Sequence, residues 1–421
     1  MEIINLKFIN FSPDFSNKNM IADALTLFNK IKKKDNDFFE QFGFNELVLN
    51  FDTQNLKELD SFSDLFHSQD INHIIIFCKK SDKENFFVAY NFLNSYDILK
   101  DHKIKFTFFC DEEPEVWQKL YLKCTDQISS QHTAFLFIGQ SLYSEAFIEV
   151  IKIIINEVQE KYGYYRALKR CFMICKQALE KQLLDFEIDE QNKLIMPNVL
   201  TKNYSFFAES NMFLLLLKGC NIMELVAGYQ NLYPNFVADN LEDNAAFQYA
   251  YVRLLISKKT KYSFIINENA ILTNLLALQT NMENNYYQKF NIFSYIASFT
   301  NDIYTYGQFL MDNYQKMYIS FYKLKNEKID YRLSDEIHFN DGLNSYPFTK
   351  LSDFNKSANV GIQEIFTNIL GMPYCLITVE DNSEYSLGAL IAFVYWSFIY
   401  RCMLSNTNPF LSCYRSLKWS T

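Results

Sequence analysis

Histidine is scarce in this chain. Its five copies (His67, His73, His102, His132 and His338) form no H-E-x-x-H and no clustered ligand spacing, which argues against a zinc site. No metal or other cofactor is implied. The nine cysteines (Cys78, Cys110, Cys124, Cys171, Cys175, Cys220, Cys375, Cys402 and Cys413) include no C-x-x-C pair and are odd in number. Several lie in apolar runs, so they read as buried thiols of a reduced, cytoplasmic protein rather than as a disulfide framework. Positive charge is also in deficit. Lysine and arginine number 40 against 49 aspartates and glutamates, and the net charge of -9 argues against nucleic acid or an anionic membrane as the main partner. A locally basic cleft that collects anionic metabolites remains compatible with that balance.

The opening M-E-I-I-N-L-K-F lacks the basic start, long apolar core and small-residue cleavage site of a signal peptide, so no export is expected. The longest uncharged stretch, Tyr385 to Tyr400, falls short of the roughly 20 residues that span a bilayer. It contains Ser386, Gly388 and Ser397 and reads as a buried core helix. Glycine and proline are sparse, 10 and 7 beside 41 Phe and 28 Tyr, a skew that looks like nucleotide bias rather than function.

Half of the 421 residues are hydrophobic (49%) and a fifth charged (21%), enough apolar mass for two packed domains. Three short apolar runs, Ile71 to Cys78, Lys103 to Cys110 and Thr133 to Gly139, alternate with helical patterns at Asn85 to Leu99, Glu113 to Cys124 and Ser144 to Tyr162. This order predicts a doubly wound parallel sheet. In the third helix, Phe147, Val150, Ile151, Ile154 and Val158 form one core stripe. A long helix is expected from Tyr164 to Phe186, then a second set of alternations: strands at Lys261 to Ile266, Asn291 to Phe299, Met317 to Leu324 and Tyr374 to Val379, with a helix at Ile271 to Leu278. Ligands of such sheets sit beyond the carboxyl ends of strands, near helix N-termini that favour phosphate. The candidate loops are Lys79 to Asp82, Gly139 to Ser144 and the region of Glu283.

Several short motifs stand in a telling order: N-Y-S (Asn203 to Ser205), N-A-A-F-Q-Y-A (Asn244 to Ala250), M-E-N-N-Y-Y (Met282 to Tyr287), T-N-D-I-Y-T-Y-G-Q (Thr300 to Gln308), D-G-L-N (Asp341 to Asn344) and N-P-F (Asn408 to Phe410). In order and spacing they resemble the glucose-6-phosphate isomerase family almost throughout the second half, while the first half matches by pattern. The resemblance implies two doubly wound α/β lobes of the sugar-isomerase (SIS) type with a C-terminal helical segment. It divides the chain into a mostly helical arm (1–55), a first lobe (56–200), a second lobe (201–385) and a C-terminal helix and tail (386–421). It also implies reversible aldose-ketose isomerisation of glucose 6-phosphate and fructose 6-phosphate, a step of glycolysis and gluconeogenesis, in a cytoplasmic homodimer. The aromatics of the C-terminal helix (Phe393, Tyr395, Trp396 and Phe398), on more than one face, are offered as a pairing surface.

That isomerisation needs a carboxylate base, groups for ring opening, a positive charge beside the enediolate and a phosphate cradle. By the resemblance Glu283 falls on the family's glutamate in M-E-S-x-G-K and is the base; outside that pattern it would read as a surface glutamate among asparagines. Lys418 is the candidate for the C-terminal lysine that assists ring opening, although the spacing is one residue short and a frayed terminal lysine is the other reading. Ser141 and Ser144 are what remains of the phosphate loop S-x-S-G-T-T.

Other positions depart from the family. Asn203 replaces the arginine of R-Y-S, with Lys202 the nearest cation. Tyr304, a phenol whose ordinary pKa is about 10, replaces the ring-opening histidine. Cys78 to Asp82 replaces the glycine-rich G-x-G-G-S, losing close backbone approach. Lys79 and Lys80 either add charge there or are plain surface lysines. The expectation is therefore an isomerase impaired by divergence, with Glu283, Lys418, Tyr304 and Lys202 catalytic and Ser141 and Ser144 holding phosphate. The alternative is an inactive family member that binds sugar phosphate or serves as a scaffold. A sugar-isomerase-like regulator of DNA is disfavoured, because no helix-turn-helix extension is visible.

Overall fold

A computed structural model of the chain describes residues 3–33, 39–93, 104–198, 200, 202–238, 240–241, 243–257, 259–285, 292–328, 330–333, 345–346 and 348–410; for Asn19, Phe39, Glu40 and Lys202 it describes the backbone alone. Two structural units result, one of Glu40–Tyr90 with Tyr96–Val226, the other of Met1–Phe39, Asn91–Ser95 and Ala227–Thr421. The second unit contributes the first strand in sequence, β1 (Ile4–Ile9).

In the unit of Glu40–Val226 the apolar runs become β2 (His73–Cys78), β3 (Lys105–Cys110) and β4 (Thr133–Gly139). With β5 (Cys171–Lys176) and β6 (Lys193–Met196) they form a parallel sheet in the order β3-β2-β4-β5-β6. Every residue of β4 is buried, as a parallel strand covered on both faces requires. The helix Glu145–Tyr162 packs Phe147, Ile151, Ile154, Ile155 and Val158 into the core, and Ser144 caps it by accepting from Phe147 N.

The expected helix Tyr164 to Phe186 is a correction. The chain makes a short helix Tyr164–Leu168, strand β5 and a second short helix Gln177–Gln182. Periodicity cannot separate strand from buried helix in a run as short and uniformly apolar as C-F-M-I-C, and pairing with β4 decides it.

The other unit carries β7 (Tyr262–Asn267), β8 (Phe293–Ser298), β9 (Met317–Leu324) and β10 (Tyr374–Val379) in the order β1-β10-β9-β7-β8, with β1 alone antiparallel. Side chains alternate along a strand. Tyr318, Ser320 and Tyr322 of β9 therefore face the helices Ala245–Ser257 and Thr273–Asn284, while Ile319, Phe321 and Lys323 face the opposite way.

The helix Glu384–Leu404 is long and apolar enough to cross a membrane by length and composition, yet it is buried in its unit. Trp396 Nε1 donates to Tyr229 Oη (3.1 Å), and Tyr400 Oη donates to the Phe236 carbonyl. The core-helix expectation holds. The pairing surface offered on this helix does not, since Phe393, Tyr395, Trp396 and Phe398 are all buried within the chain's own unit.

Candidate functional site

Glu283 lies in the last turn of the helix Thr273–Asn284 and is 1% exposed. Arg253, from the helix Ala245–Ser257, grips both of its oxygens: Nη1 donates to Oε1, and Nη2 to Oε2 at 2.6 Å. Gln279 Nε2, one helical turn earlier, adds a bond to Oε1 (3.1 Å), Ser294 Oγ donates to Oε2, and Arg401 Nη1 stands 3.6 Å from Oε2. Tyr249, one turn before Arg253, offers its ring face to the guanidinium at 5.1 Å. The network continues through Ser263, which accepts from Arg253 Nη2 (2.8 Å), and through Tyr322, whose hydroxyl donates to Gln279 Oε1 (2.9 Å).

Burial alone would push the Glu283 carboxyl up. The Arg253 charge and its hydrogen bonds, with Arg401 and Ser294, outweigh burial and hold it down at about 2. Glu283 is thus a carboxylate at neutral pH.

Its location corrects the expectation that it lies beyond the carboxyl ends of strands. Ser263 and Ser294 each follow the first residue of their strands, so Glu283 sits at the amino edge of the sheet. The helix after β7 runs back along the sheet, and its C-terminal end returns to the edge where the strand began.

The loop Gly139 to Ser144 belongs to the other unit. Tyr143 is buried and its hydroxyl lies 2.7 Å from the Phe77 and Ile138 carbonyls, while Gln182 clamps the Tyr143 backbone N–H and C=O at 2.8 and 2.9 Å. Ser144, at the N-terminus of the long helix, does not face an open cradle. Asp111, just after β3, accepts from the Ser144 backbone N–H (2.8 Å) and from Ser144 Oγ, and it is ion-paired to Lys79. Burial opposes the charged form of Asp111, but the hydrogen bonds from Lys79 and Ser144 prevail and hold its pKa below the ordinary value. A carboxylate of the chain thus occupies the place that a helix N-terminus offers to an anion. Ser141 is exposed and makes no hydrogen bond among the described residues.

Tyr304, on the helix Ile303–Asn313, is 95% exposed and has no hydrogen bond among the described residues. Lys202 and Asn203 lie in a one-turn 3-10 helix, Lys202–Tyr204, rather than an extended segment. Tyr204 and Ser205 beside them are structural: Tyr204 stacks on Phe44 at 4.6 Å, and Ser205 Oγ accepts from Asn85 Nδ2 at 3.0 Å. Lys418 and the motif Asp341 to Asn344 fall outside the described residues. Asn244 serves as a cap, accepting from Phe247 N (2.9 Å) and donating to the Phe236 carbonyl (2.6 Å).

Sequence reasoning missed Arg253, Gln279, Ser294, Arg401 and Asp111. A signal existed for Arg253, a lone arginine four residues after Tyr249 in an apolar helical run, hence on the same face. Nothing local marked Asp111, whose partners come from other segments.

Comparison with known proteins follows the same lines. No family model matches the chain. It is 22% identical over 416 residues to the glucose-6-phosphate isomerase of Mycoplasmopsis pulmonis, a match covering 97% of this chain and 96% of that protein. It is 25% identical over 259 residues to the glucose-6-phosphate isomerase of Mycoplasma mobile, covering 60% of this chain and 59% of that one, so this second match spans about three fifths of the relative's length. Among solved structures, a hypothetical protein of Thermus thermophilus superposes with a TM-score of 0.79 at 12% identity, covering 97% of this chain and 96% of that one. A glucose-6-phosphate isomerase of Chlamydia trachomatis gives 0.74 at 10% identity, covering 98% of this chain and 86% of that one. At such identities these two superpositions speak for the fold.

Two predominantly parallel α/β sheets with a helical C-terminal segment define the class, that of the SIS-type sugar-isomerase fold. Within it, the near full-length match and the ordered motifs make the chain a divergent member of the glucose-6-phosphate isomerase family.

Proposed function

We propose that the chain catalyses the interconversion of glucose 6-phosphate and fructose 6-phosphate, slowed by divergence at its site. The observation that carries this reading is a desolvated, ionised carboxylate, Glu283, in a chain matched over 97% of its length by a glucose-6-phosphate isomerase. In this reading Glu283 takes the C2 proton of the ring-opened aldose. The C–H electron pair forms the C1=C2 double bond of a cis-enediol(ate), and the proton is returned to C1 to give the ketose. Lys418 and Lys202 are the candidates for ring opening and for the charge beside the enediolate, and Ser141 and Ser144 for phosphate once Asp111 releases Ser144. Tyr304, the candidate in place of the ring-opening histidine, lies beyond the carboxyl end of β8, at the opposite edge of the sheet from Glu283. A carboxylate held at about 2 is a weak base, and one absent oxyanion stabiliser typically costs about two to three orders of magnitude, so slow turnover is expected.

A second reading, a non-catalytic sugar-phosphate binder or scaffold, draws support from Arg253 holding both Glu283 oxygens and from Asp111 at the helix N-terminus. For either reading we place the protein in the cytoplasm as a homodimer. The support for pairing moves to the exposed aromatics along the edge strand β8 and its neighbours: Phe293, Tyr295, Tyr304 and Phe309. Sedimentation at micromolar concentration showing a monomer alone would remove the dimer.

The deciding experiment is a coupled assay of glucose 6-phosphate formation from fructose 6-phosphate, run on wild type and on Glu283→Gln at a temperature where near-ultraviolet dichroism shows both folded. Turnover in the wild type and its loss in the variant support the isomerase. Equal rates at the background level in both leave the binder.

A further inference from the structure

The sheet β1-β10-β9-β7-β8 has a cavity of 610 Å3 on the face turned away from Glu283, closed on its far side by the helix Leu351–Glu364. The alternation along β9 fixes that separation, because Tyr322 points to Gln279 and the Glu283 network while Lys323 points into the cavity. The register carries the same face across the sheet: Lys323 lies opposite Thr378 of β10, Thr378 opposite Asn5 of β1, and Lys7 two residues further along β1. The volume falls within the range of roughly 300–1,000 Å3 typical of small-molecule sites.

Four lysines line this cavity: Lys7, Lys323, Lys325 and Lys356. Lys325 is neutralised by Glu380 at 2.9 Å. The other three, one each from β1, β9 and the covering helix, make no hydrogen bond or ion pair among the described residues. In a chain with net charge -9, three ammonium groups outside any close ion pair converge on one concavity, Lys323 and Lys356 being offset only at longer range by Glu268 and Glu327. Isolated surface lysines would be solvated and spread apart, whereas these come from distant segments and line one cavity from its two sides. Glu268, which shares the cavity, is within electrostatic reach of Lys323 but makes its hydrogen bond elsewhere. At the end of β7 and 6% exposed, it accepts from Gln363 Nε2 of the covering helix.

We propose that this cavity binds a compact oxyanion of charge two or more, a phosphate ester or a small polycarboxylate, as a site separate from Glu283 and from the loop Gly139 to Ser144. Lys7, Lys323 and Lys356 supply point charges to its oxygens, and Glu268 in its protonated form donates a hydrogen bond to one of them. Burial pushes the Glu268 carboxyl up to about 7 against the opposing pull of Lys323 and Gln363, so that donor is present at neutral pH and below. Around Glu268 stand Lys323 from β9, Gln363 and Lys356 from the covering helix and the Tyr374 hydroxyl of β10.

The test is isothermal calorimetry at constant ionic strength with two probes, pyrophosphate and citrate, and glucose as a neutral control. Binding of pyrophosphate alone assigns a phosphate ester, citrate alone a polycarboxylate, and both a site that reads charge; each supports the proposal. Lys7→Met combined with Lys323→Met and Lys356→Met keeps the side-chain stems and should weaken binding at least about tenfold, three charges being removed. If the triple variant does not fold, the exposed Lys7→Met is read alone, with a loss of at least about threefold expected. Between pH 6 and 8 the wild type should lose more affinity than Glu268→Gln measured with the same probe. Binding by neither probe, or binding that the lysine variant leaves unchanged, overturns the proposal. Heats of binding are read without turnover, so this outcome is independent of whether the chain isomerises sugars.

Discussion

Arg253 holds both carboxylate oxygens of Glu283 inside a core where each is at least nine-tenths buried. The pair joins the helices Ala245–Ser257 and Thr273–Asn284, and the chemistry proposed for Glu283 must be compatible with that structural duty. A substrate reaching Glu283 would have to replace at least part of its grip on Arg253.

A double-substitution cycle measures that duty. Arg253→Met leaves a buried carboxylate with weaker compensation from Arg401, and Glu283→Gln leaves two buried guanidinium groups, so each should cost about 3–5 kcal/mol. Urea unfolding of the two single variants and the double should show the double costing clearly less than the sum. Additive losses would mean that the pair is not coupled.

Acid should expose the same pair. The folded-state value for Glu283, about 2, lies below its ordinary 4.5, so its contribution to stability is complete above pH 4.5 and disappears as pH falls towards 2. Melting temperature followed from pH 5 down to 2 should fall more steeply for the wild type than for the double variant. Parallel curves would contradict the assignment.

Asp111 makes a separate prediction. Because its carboxylate fills the N-terminus of the helix Glu145–Tyr162, Asp111→Asn should remove a competing anion and free Lys79. Affinity for inorganic phosphate, read as a shift in melting temperature, should rise by about threefold or more. An unchanged or smaller shift would mean that the loop is not an anion cradle even when vacated.

The turn Lys202–Tyr204 decides between a rewired and a decayed site. If Lys202 supplies the charge that Asn203 does not, Lys202→Ala should slow turnover at least about tenfold and Asn203→Arg should bring no gain. If the site has decayed, Lys202→Ala should be silent and Asn203→Arg should raise the rate. No response to either substitution in the coupled assay would show that this turn is not part of the catalytic segment.

The sequence by itself determined the fold class, because short apolar runs alternating with helical stripes admit few arrangements other than parallel α/β sheets. It also marked Glu283, through motifs whose order no single segment could mimic. Local pattern failed at β5, where Cys171 to Lys176 is apolar at every position but the last and strand pairing had to choose. It failed at the C-terminal helix too, whose aromatics were offered as a surface and are buried instead. Only the tertiary structure could bring Arg253 and Arg401 to Glu283 from segments 30 residues before and over 100 after it. It likewise set Asp111 against Ser144, 33 residues away, and gathered Lys7, Lys323 and Lys356 around one cavity. Electrostatic partnership depends on distance in space rather than along the chain, and a sequence pattern reports the second.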